Sequence, residues 1–200
     1  MKELIPLDTR YVPLVQQKDC CVPACYSMIM LRHGIPLISQ ELIGHKLELV
    51  IPKENEKYFW NPPVGEPHLA GYGTNVGTTK ENVNPDIAFK ELGIPLKTTF
   101  TLIDSFKDLD DFKSYLAKLS SSDKDIILCY EWGSFSGDDI KKWGHVNILD
   151  IVNLKDETLR LIDPEYLSPK WVTVSIDRLY EAMLAHGPEK GGGFWEVEKL

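Results

Sequence analysis

The sequence has 200 residues, enough for one well-buried core and short for two, and its 43% hydrophobic and 26% charged content is typical of a globular domain. Its net charge of −8 argues against a nucleic-acid partner, because phosphate binding requires clustered lysine and arginine. No segment approaches the roughly 18 apolar residues that span a bilayer, and the start of the chain lacks the apolar stretch of a signal peptide. We therefore expect a soluble, cytoplasmic protein without a membrane partner.

Two helices are predicted in the first quarter of the chain. The first begins near Pro23 and ends at Gly34, because proline suits a first helical turn and glycine suits a helix end. The second has Ser39 as its N-cap and runs to about Leu49. Its predicted apolar face consists of Leu42, Ile43 and Leu47.

Residues 51–84 read as a long loop. They contain several prolines and glycines, with aromatic residues between them. A long irregular loop in a compact domain is usually functional or disordered. The aromatic residues favour packing, or lining a groove, over disorder.

The rest of the chain predicts a third helix, a strand, a fourth helix and then mostly strands. Asn84-Pro85 opens the third helix, which ends at Gly93, and residues 95–103 form the strand. Residues 105–121 form an amphipathic helix, and a short helix from Ile176 to about Ala185 interrupts the later strands. Helices followed by consecutive strands predict an α+β fold with an antiparallel sheet. No linker divides the chain, so residues 1–200 are predicted to form a single domain.

Three of the four cysteines, Cys20, Cys21 and Cys25, lie within six residues. Adjacent cysteines rarely serve as two zinc ligands, whose usual spacing leaves about two to four residues between them. We therefore predict neither a metal site nor a cofactor. Cys20 and Cys21 directly precede the predicted helix, where free N–H groups and the helix dipole stabilise a nucleophilic thiolate. Cys25, one turn further on, and Cys129, within a strand, are predicted to lie in the core.

A cysteine nucleophile needs a base, and the base needs a group that orients it. His145 is the candidate base, because it follows a turn and begins a strand, where a side chain projects at the rim of a sheet. Asp163 comes 18 residues later. A hairpin around residues 153–158 would make the two cross-strand neighbours, so that the carboxylate holds the imidazole in one tautomer.

An acyl-transfer site also needs a hydrogen-bond donor for the oxyanion. The backbone N–H of the nucleophile supplies one donor, and a glutamine amide a few residues before it can supply another. Gln16 and Gln17 both lie at that distance, so either is a candidate.

The order of a glutamine, a helix-start cysteine, a histidine and an acidic residue resembles that of papain-like cysteine peptidases. More narrowly, CVPACYSMIMLRHG (21–34) resembles the nucleophile helix of the bacteriocin-leader-processing (double-glycine) peptidases and their stand-alone relatives. That helix typically reads Cys-Gly-Pro-Ala-Cys-Leu-x-Met-Ile, with a glycine at its end. WGHVNILDIVN, LRLIDPEY and GGGFWEVE resemble the family's Gly-His strand, Asp-Pro strand end and glycine-rich final strand. The resemblance covers residues 16–50 and 126–200 and implies a papain-like fold.

The resemblance also separates the adjacent cysteines. Aligning the residues from Pro23 to Gly34 with the family's pattern places the nucleophile at Cys21 and gives Cys20 the place of the residue before it. Aligning on Asp-Cys instead selects Cys20 but shifts every later match by one residue. The resemblance therefore implies Cys21, with Cys20 as the alternative.

Two departures from the family's pattern affect the neighbours of Cys21. Val22 replaces the family's glycine, so the backbone there must accept a β-branched side chain. The family's glutamine lies six residues before the cysteine, whereas Gln16 lies five before it and Gln17 four. A one-residue deletion would restore the geometry for Gln16.

These observations predict a cysteine peptidase, that is, an amide hydrolase acting on a peptide or protein. The predicted catalytic residues are Cys21 as nucleophile, His145 as base, Asp163 as its orienting partner and Gln16 as oxyanion donor. Trp60 and Tyr72, in the loop 51–84, are predicted to line the substrate groove.

Three alternatives remain open at this stage. The same residues would serve another acyl transfer, such as deamidation or transpeptidation. A papain-like fold used only for binding is an alternative of another class, because fold alone does not determine function. A regulatory disulfide among Cys20, Cys21 and Cys25 is a further hypothesis, although a helix holds Cys21 and Cys25 near the limit of disulfide geometry.

Overall fold

The computed structural model describes residues 6, 8–77, 83–138, 140, 142–165 and 170–200. Residues 78–82 of the predicted loop 51–84 lie outside this range. The described α-helices and β-strands are, in chain order, α1 (Cys21–Arg32), α2 (Gln40–Lys46), α3 (Pro85–Leu92), β1 (Leu96–Leu102), α4 (Leu109–Ser120), β2 (Asp125–Glu131), α5 (Trp132–Ser136), β3 (Gly144–Asn153), β4 (Thr158–Ile162), β5 (Trp171–Ser175), α6 (Ile176–His186) and β6 (Gly193–Lys199). None of the described helices has the length and apolar character needed to cross a membrane.

The strands form one antiparallel sheet in the order β1-β6-β2-β3-β4-β5. The strands from β2 to β5 are neighbours in both sequence and space, as predicted. The last strand, β6, instead lies between β1 and β2. The predicted α+β class with an antiparallel sheet is confirmed.

Helices cover both faces of the sheet. On one face α1, α2 and α3 share a core with β1, β2, β3 and β6, and Met28 and Ile29 of α1 belong to it together with Ile148 of β3 and Trp195 of β6. On the other face α4 and α6 share a second core with the sheet. Residues 22–30 of α1 are all buried, so this helix is enclosed on every side and not amphipathic. Its N-terminus is thereby fixed against the middle of the sheet.

The first two helices differ from their predicted bounds. α1 begins at Cys21, two residues before Pro23, and Cys20 is its N-cap residue. In α2 the Ser39 hydroxyl accepts a hydrogen bond from the backbone N–H of Leu42 at 3.1 Å, as an N-cap does. The Leu42 side chain is exposed, however, so its predicted place on the apolar face is wrong, and the helix ends at Lys46.

The described part of the loop 51–84 is ordered by specific contacts. It contains a 3-10 helix at Lys53–Tyr58. The Glu41 carboxylate of α2 accepts backbone N–H bonds from Trp60 at 3.1 Å and Asn61 at 2.8 Å. Further along, the carbonyl of Ala70 accepts a hydrogen bond from the N–H of Gly144 at 3.2 Å. The loop thus connects α2 to the first residue of β3.

Candidate active site

The start of α1 exposes one cysteine of the adjacent pair and buries the other. Cys20 is fully buried against Leu49 and Ile51, and burial raises the pKa of its thiol. Cys21, the first residue of α1, is only partly buried and lines a surface pocket. Its position is the end of the helix where N–H groups are free and the dipole is positive. The geometry therefore favours Cys21 over Cys20 as the reactive thiol.

The structure brings Cys21, His145 and Asp163 together. The Nε2 of His145 lies 2.9 Å from Oδ1 of Asp163. The Cys21 thiol lines the same pocket as the imidazole and helps to raise the pKa of His145. With Nε2 committed to the carboxylate, Nδ1 is the nitrogen left to exchange a proton with the thiol. His145 is the second residue of β3, and Asp163 directly follows β4.

The His145–Asp163 contact differs in one respect from the prediction. The β3–β4 ladder ends at the pair Ile148–Ile162, and its register shifts between Leu149 and Ile151. The two side chains are therefore not directly paired residues of the ladder. They meet beyond its end, where the strands have ceased to pair.

The site favours a charged imidazole. Burial opposes the positive charge, but hydrogen bonds and charge interactions with Asp163 and Cys21 outweigh it and raise the pKa of His145 to about 10. An imidazolium beside a thiol stabilises the thiolate. Chemically, the arrangement can hold a thiolate–imidazolium pair that is oriented by a buried carboxylate.

Residues that sequence reasoning missed hold this pair in place. The Asp163 Oδ1 also accepts a hydrogen bond from the backbone N–H of Glu165 at 2.9 Å. The ring of Trp132 stands edge-on to His145, with centroids 4.8 Å apart. Trp132 is the first residue of α5, a helix that no sequence pattern predicted. Its contact with His145 is therefore evident only from the fold.

The two candidate oxyanion donors face different parts of the protein. The Gln16 Nε2 donates to a carboxylate oxygen of Glu165 at 3.1 Å, and its backbone N–H donates to the carbonyl of Pro164 at 2.8 Å. Gln16 is thus joined to the segment that follows Asp163. The Gln17 Nε2 instead donates to the carbonyl of Tyr58 at 2.8 Å, and this directs it toward the loop 51–84.

The remaining cysteines lie in the core, as predicted. Cys25 is fully buried, with its sulfur 3.9 Å from the carbonyl of Val146, and Cys129 is 5% exposed. Burial raises the pKa of both thiols. All four cysteines fall within the described residues, and each is a free thiol. In the same ranges no three His, Cys, Asp or Glu side chains are grouped as metal ligands.

A narrow pocket opens beside the reactive pair. Cys21 and His145 lie on its wall, and Tyr72 of the loop 51–84 lines it too. Trp60 does not contribute to this pocket. Its side chain is 99% exposed and borders a separate hollow with Leu42.

Comparison with known proteins bears on the fold. No protein-family model matches the sequence, and no curated protein matches it significantly. The structure matches a crystal structure described as a "putative C39-like peptidase" from Bacillus anthracis, with a TM-score of 0.50 and 14% identity. The match covers 94% of this chain and 95% of that chain. The chain therefore has the fold of a C39-like peptidase, in agreement with the papain-like fold expected from its sequence.

Proposed function

We propose that the protein is a cysteine peptidase that cleaves an amide bond of a peptide or protein. The observation that carries the proposal is the arrangement of Cys21, His145 and Asp163. Cys21 begins a buried helix and shares a pocket with His145, which hydrogen-bonds Asp163. A partly exposed thiol, a base within reach and a buried group that orients the base are the parts that covalent acyl transfer needs.

Each proposed step uses a group with a suitable position. The thiolate sulfur of Cys21 forms a bond to the carbonyl carbon of the substrate, whose oxygen becomes an oxyanion. As the C–N bond breaks, His145 gives its Nδ1 proton to the departing amine and a thioester remains. His145 then takes a proton from water, which attacks the thioester and releases a carboxylic acid and the Cys21 thiolate, so that the thiolate–imidazolium pair is restored. Asp163 holds the imidazole in one orientation throughout.

The oxyanion would be held by the backbone N–H of Cys21 and the side-chain amide of Gln16. An amide nitrogen carries two hydrogens. Glu165 accepts one from Gln16 and leaves the second for the oxyanion. The amide of Gln17 is bound to the Tyr58 carbonyl, which makes it the weaker candidate.

Labelling with a peptidyl chloromethyl ketone tests the assignment of the nucleophile. We expect modification of the wild type and of Cys20→Ala, and none of Cys21→Ala. His145→Ala should slow the modification near pH 6–7, because the thiol then loses its imidazolium partner. Labelling that survives Cys21→Ala but not Cys20→Ala would overturn the assignment.

Hydrolysis itself is tested with a proteome-derived peptide library. Incubation with wild type should create new peptide termini that mass spectrometry detects, and Cys21→Ala serves as the control. A reactive Cys21 without any new termini would contradict the peptidase proposal while leaving the nucleophile in place.

A further inference from the structure

The segment that follows β4 contacts both the base and the candidate oxyanion donor. The Asp163 carboxylate holds His145 at 2.9 Å. Two residues further on, the Glu165 carboxylate accepts a hydrogen bond from the side-chain amide of Gln16 at 3.1 Å. Between them, the Pro164 carbonyl accepts a hydrogen bond from the backbone N–H of Gln16 at 2.8 Å. Three consecutive residues therefore support two parts of the proposed machinery.

A tight turn keeps Gln16 close to the start of α1. The backbone N–H of Cys20 donates to the Gln17 carbonyl at 3.0 Å, which closes a four-residue turn. Asp19, inside the turn, has a φ of 58°, a left-handed conformation that aspartate adopts more readily than most residues. The ends of such a turn lie within about 7 Å of each other. Gln16 directly precedes the turn and Cys21 directly follows it, so the chain doubles back between the two residues.

We propose that Glu165 is a positioning residue that orients the Gln16 amide as the oxyanion donor. This inference rests on the proposed function and adds a residue to it. The Glu165 carboxylate takes one amide hydrogen of Gln16 and so holds the amide with its second hydrogen available to the oxyanion. Glu165 acts through Gln16 and takes no part in making or breaking a bond.

The chemistry of the contact determines which end of the amide faces Glu165. The oxygen and nitrogen ends of a glutamine amide have nearly the same shape, so packing alone does not distinguish them. The Gln16 Oε1 is buried and has no hydrogen-bond partner among the described residues, so its oxygen does not orient the side chain. An ionised carboxylate is only an acceptor. It therefore selects the nitrogen end of the amide, whereas a reversed amide would bring two oxygens together and would offer the oxyanion no donor.

The backbone of Glu165 is fixed independently of its side chain. Its N–H donates to Asp163 Oδ1 at 2.9 Å, and its carbonyl accepts from the Lys170 Nζ at 3.1 Å. The Lys170 carbonyl in turn accepts from the N–H of Asp163 at 2.9 Å. Replacing the Glu165 side chain should therefore remove its contact with Gln16 and leave the support of Asp163 in place.

Two reagents that differ in their need for an oxyanion donor test the inference. With p-nitrophenyl acetate, the Cys21 sulfur bonds to the carbonyl carbon, an oxyanion forms, and loss of p-nitrophenolate leaves a thioester. With iodoacetamide, the sulfur bonds to the CH₂ carbon as iodide leaves, and no oxyanion forms. Release of p-nitrophenolate is measured against Cys21→Ala as background. Alkylation is measured by mass spectrometry of the peptide that contains Cys21.

The variants should slow only the reaction that forms an oxyanion. Gln16→Leu removes the donor and should slow p-nitrophenolate release about 100-fold. Glu165→Leu removes one hydrogen bond that holds the donor and should slow this release about tenfold. Neither variant should change the rate of alkylation by iodoacetamide, because the thiolate and its imidazolium partner remain.

Three further variants separate positioning from a general effect on the fold. Glu165→Gln keeps an acceptor oxygen and should restore most of the rate that Glu165→Leu loses. The double variant Gln16→Leu/Glu165→Leu should be no slower than Gln16→Leu, because Glu165 acts only through that amide. Glu181→Leu, at an exposed glutamate of α6, is the matched control and should behave as the wild type in both reactions.

Each outcome has a distinct meaning. An unchanged p-nitrophenolate rate in Glu165→Leu, or an equal slowing of both reactions, would overturn the positioning role and leave the proposed nucleophile and base intact. An unchanged rate in Gln16→Leu would overturn this role together with the oxyanion assignment of Gln16. If p-nitrophenyl acetate fails to acylate Cys21 in the wild type while iodoacetamide alkylates it, the proposed covalent step fails as well.

Discussion

Replacing Asp163 with asparagine should uncouple His145 from Cys21 without changing the shape of the site. The pKa of His145 is about 10 instead of the ordinary 6.5, so the site favours the imidazolium. Asp163 and Cys21 supply this stabilisation against the effect of burial. A hydrogen bond to a charged partner contributes about 1.5–3 kcal/mol. Asp163→Asn should therefore slow alkylation of Cys21 at pH 6 by about 10- to 100-fold.

The rate is measured by mass spectrometry of the peptide that contains Cys21, after timed exposure to iodoacetamide from pH 5 to pH 10. The difference between variant and wild type should shrink above the ordinary thiol pKa of about 8.5, where a thiolate forms without help from an imidazolium. Asp104→Asn, at an exposed carboxylate, is the control and should match the wild type. An unchanged rate at pH 6 in Asp163→Asn would refute the role of the carboxylate.

Three further predictions concern the surroundings of the site. The pKa of His186 is about 4 in the folded state, below its ordinary 6.5. Between these two pH values the unfolded chain binds a proton that the folded chain does not, so the free energy of unfolding decreases as the pH falls from 6.5 to about 4. This decrease in the free energy of unfolding approaches about 3 kcal/mol. It is measured by urea unfolding at each pH, and His186→Phe should not show it. Glu41→Gln weakens the acceptor for the Trp60 and Asn61 N–H groups and should cost about 1–3 kcal/mol, measured by urea unfolding, with faster proteolysis at residues 58–61. In Gly144→Ala the new Cβ would lie 2.7 Å from the His186 ring, so we expect a loss of about 1–3 kcal/mol in the same assay and slower alkylation of Cys21.

Structural features that depend on a few neighbouring residues were predictable from the sequence. The third helix lies where Asn84, Pro85 and Gly93 indicate, because each residue has a direct local effect. The Asn84 side chain accepts from the backbone N–H of Asp86 at 2.9 Å, Pro85 is the first helical residue, and Gly93 has a φ of 68°. The start of α1 was misjudged by two residues, because Pro23 fits the first turn of a helix at more than one position.

Features that depend on distant segments were less predictable. The sequence placed His145 and Asp163 on neighbouring strands, but the irregularity between Leu149 and Ile151 changes their register and has no clear sequence signal. The pocket combines Thr74 from a loop with His186 from the end of α6. Neither residue belongs to a local motif, so only the tertiary structure brings them together beside Cys21.

The place of β6 inside the sheet determines when the candidate site can be complete during synthesis. β6 pairs with β1 on one side and with β2 on the other. The second neighbour of β2 is β3. A ribosome releases residues 193–199 after every other strand, so until then β1 has no partner in the sheet and the core lacks Trp195. Trp195 also lines the pocket beside Cys21. A nascent chain therefore carries an incomplete site until this strand inserts.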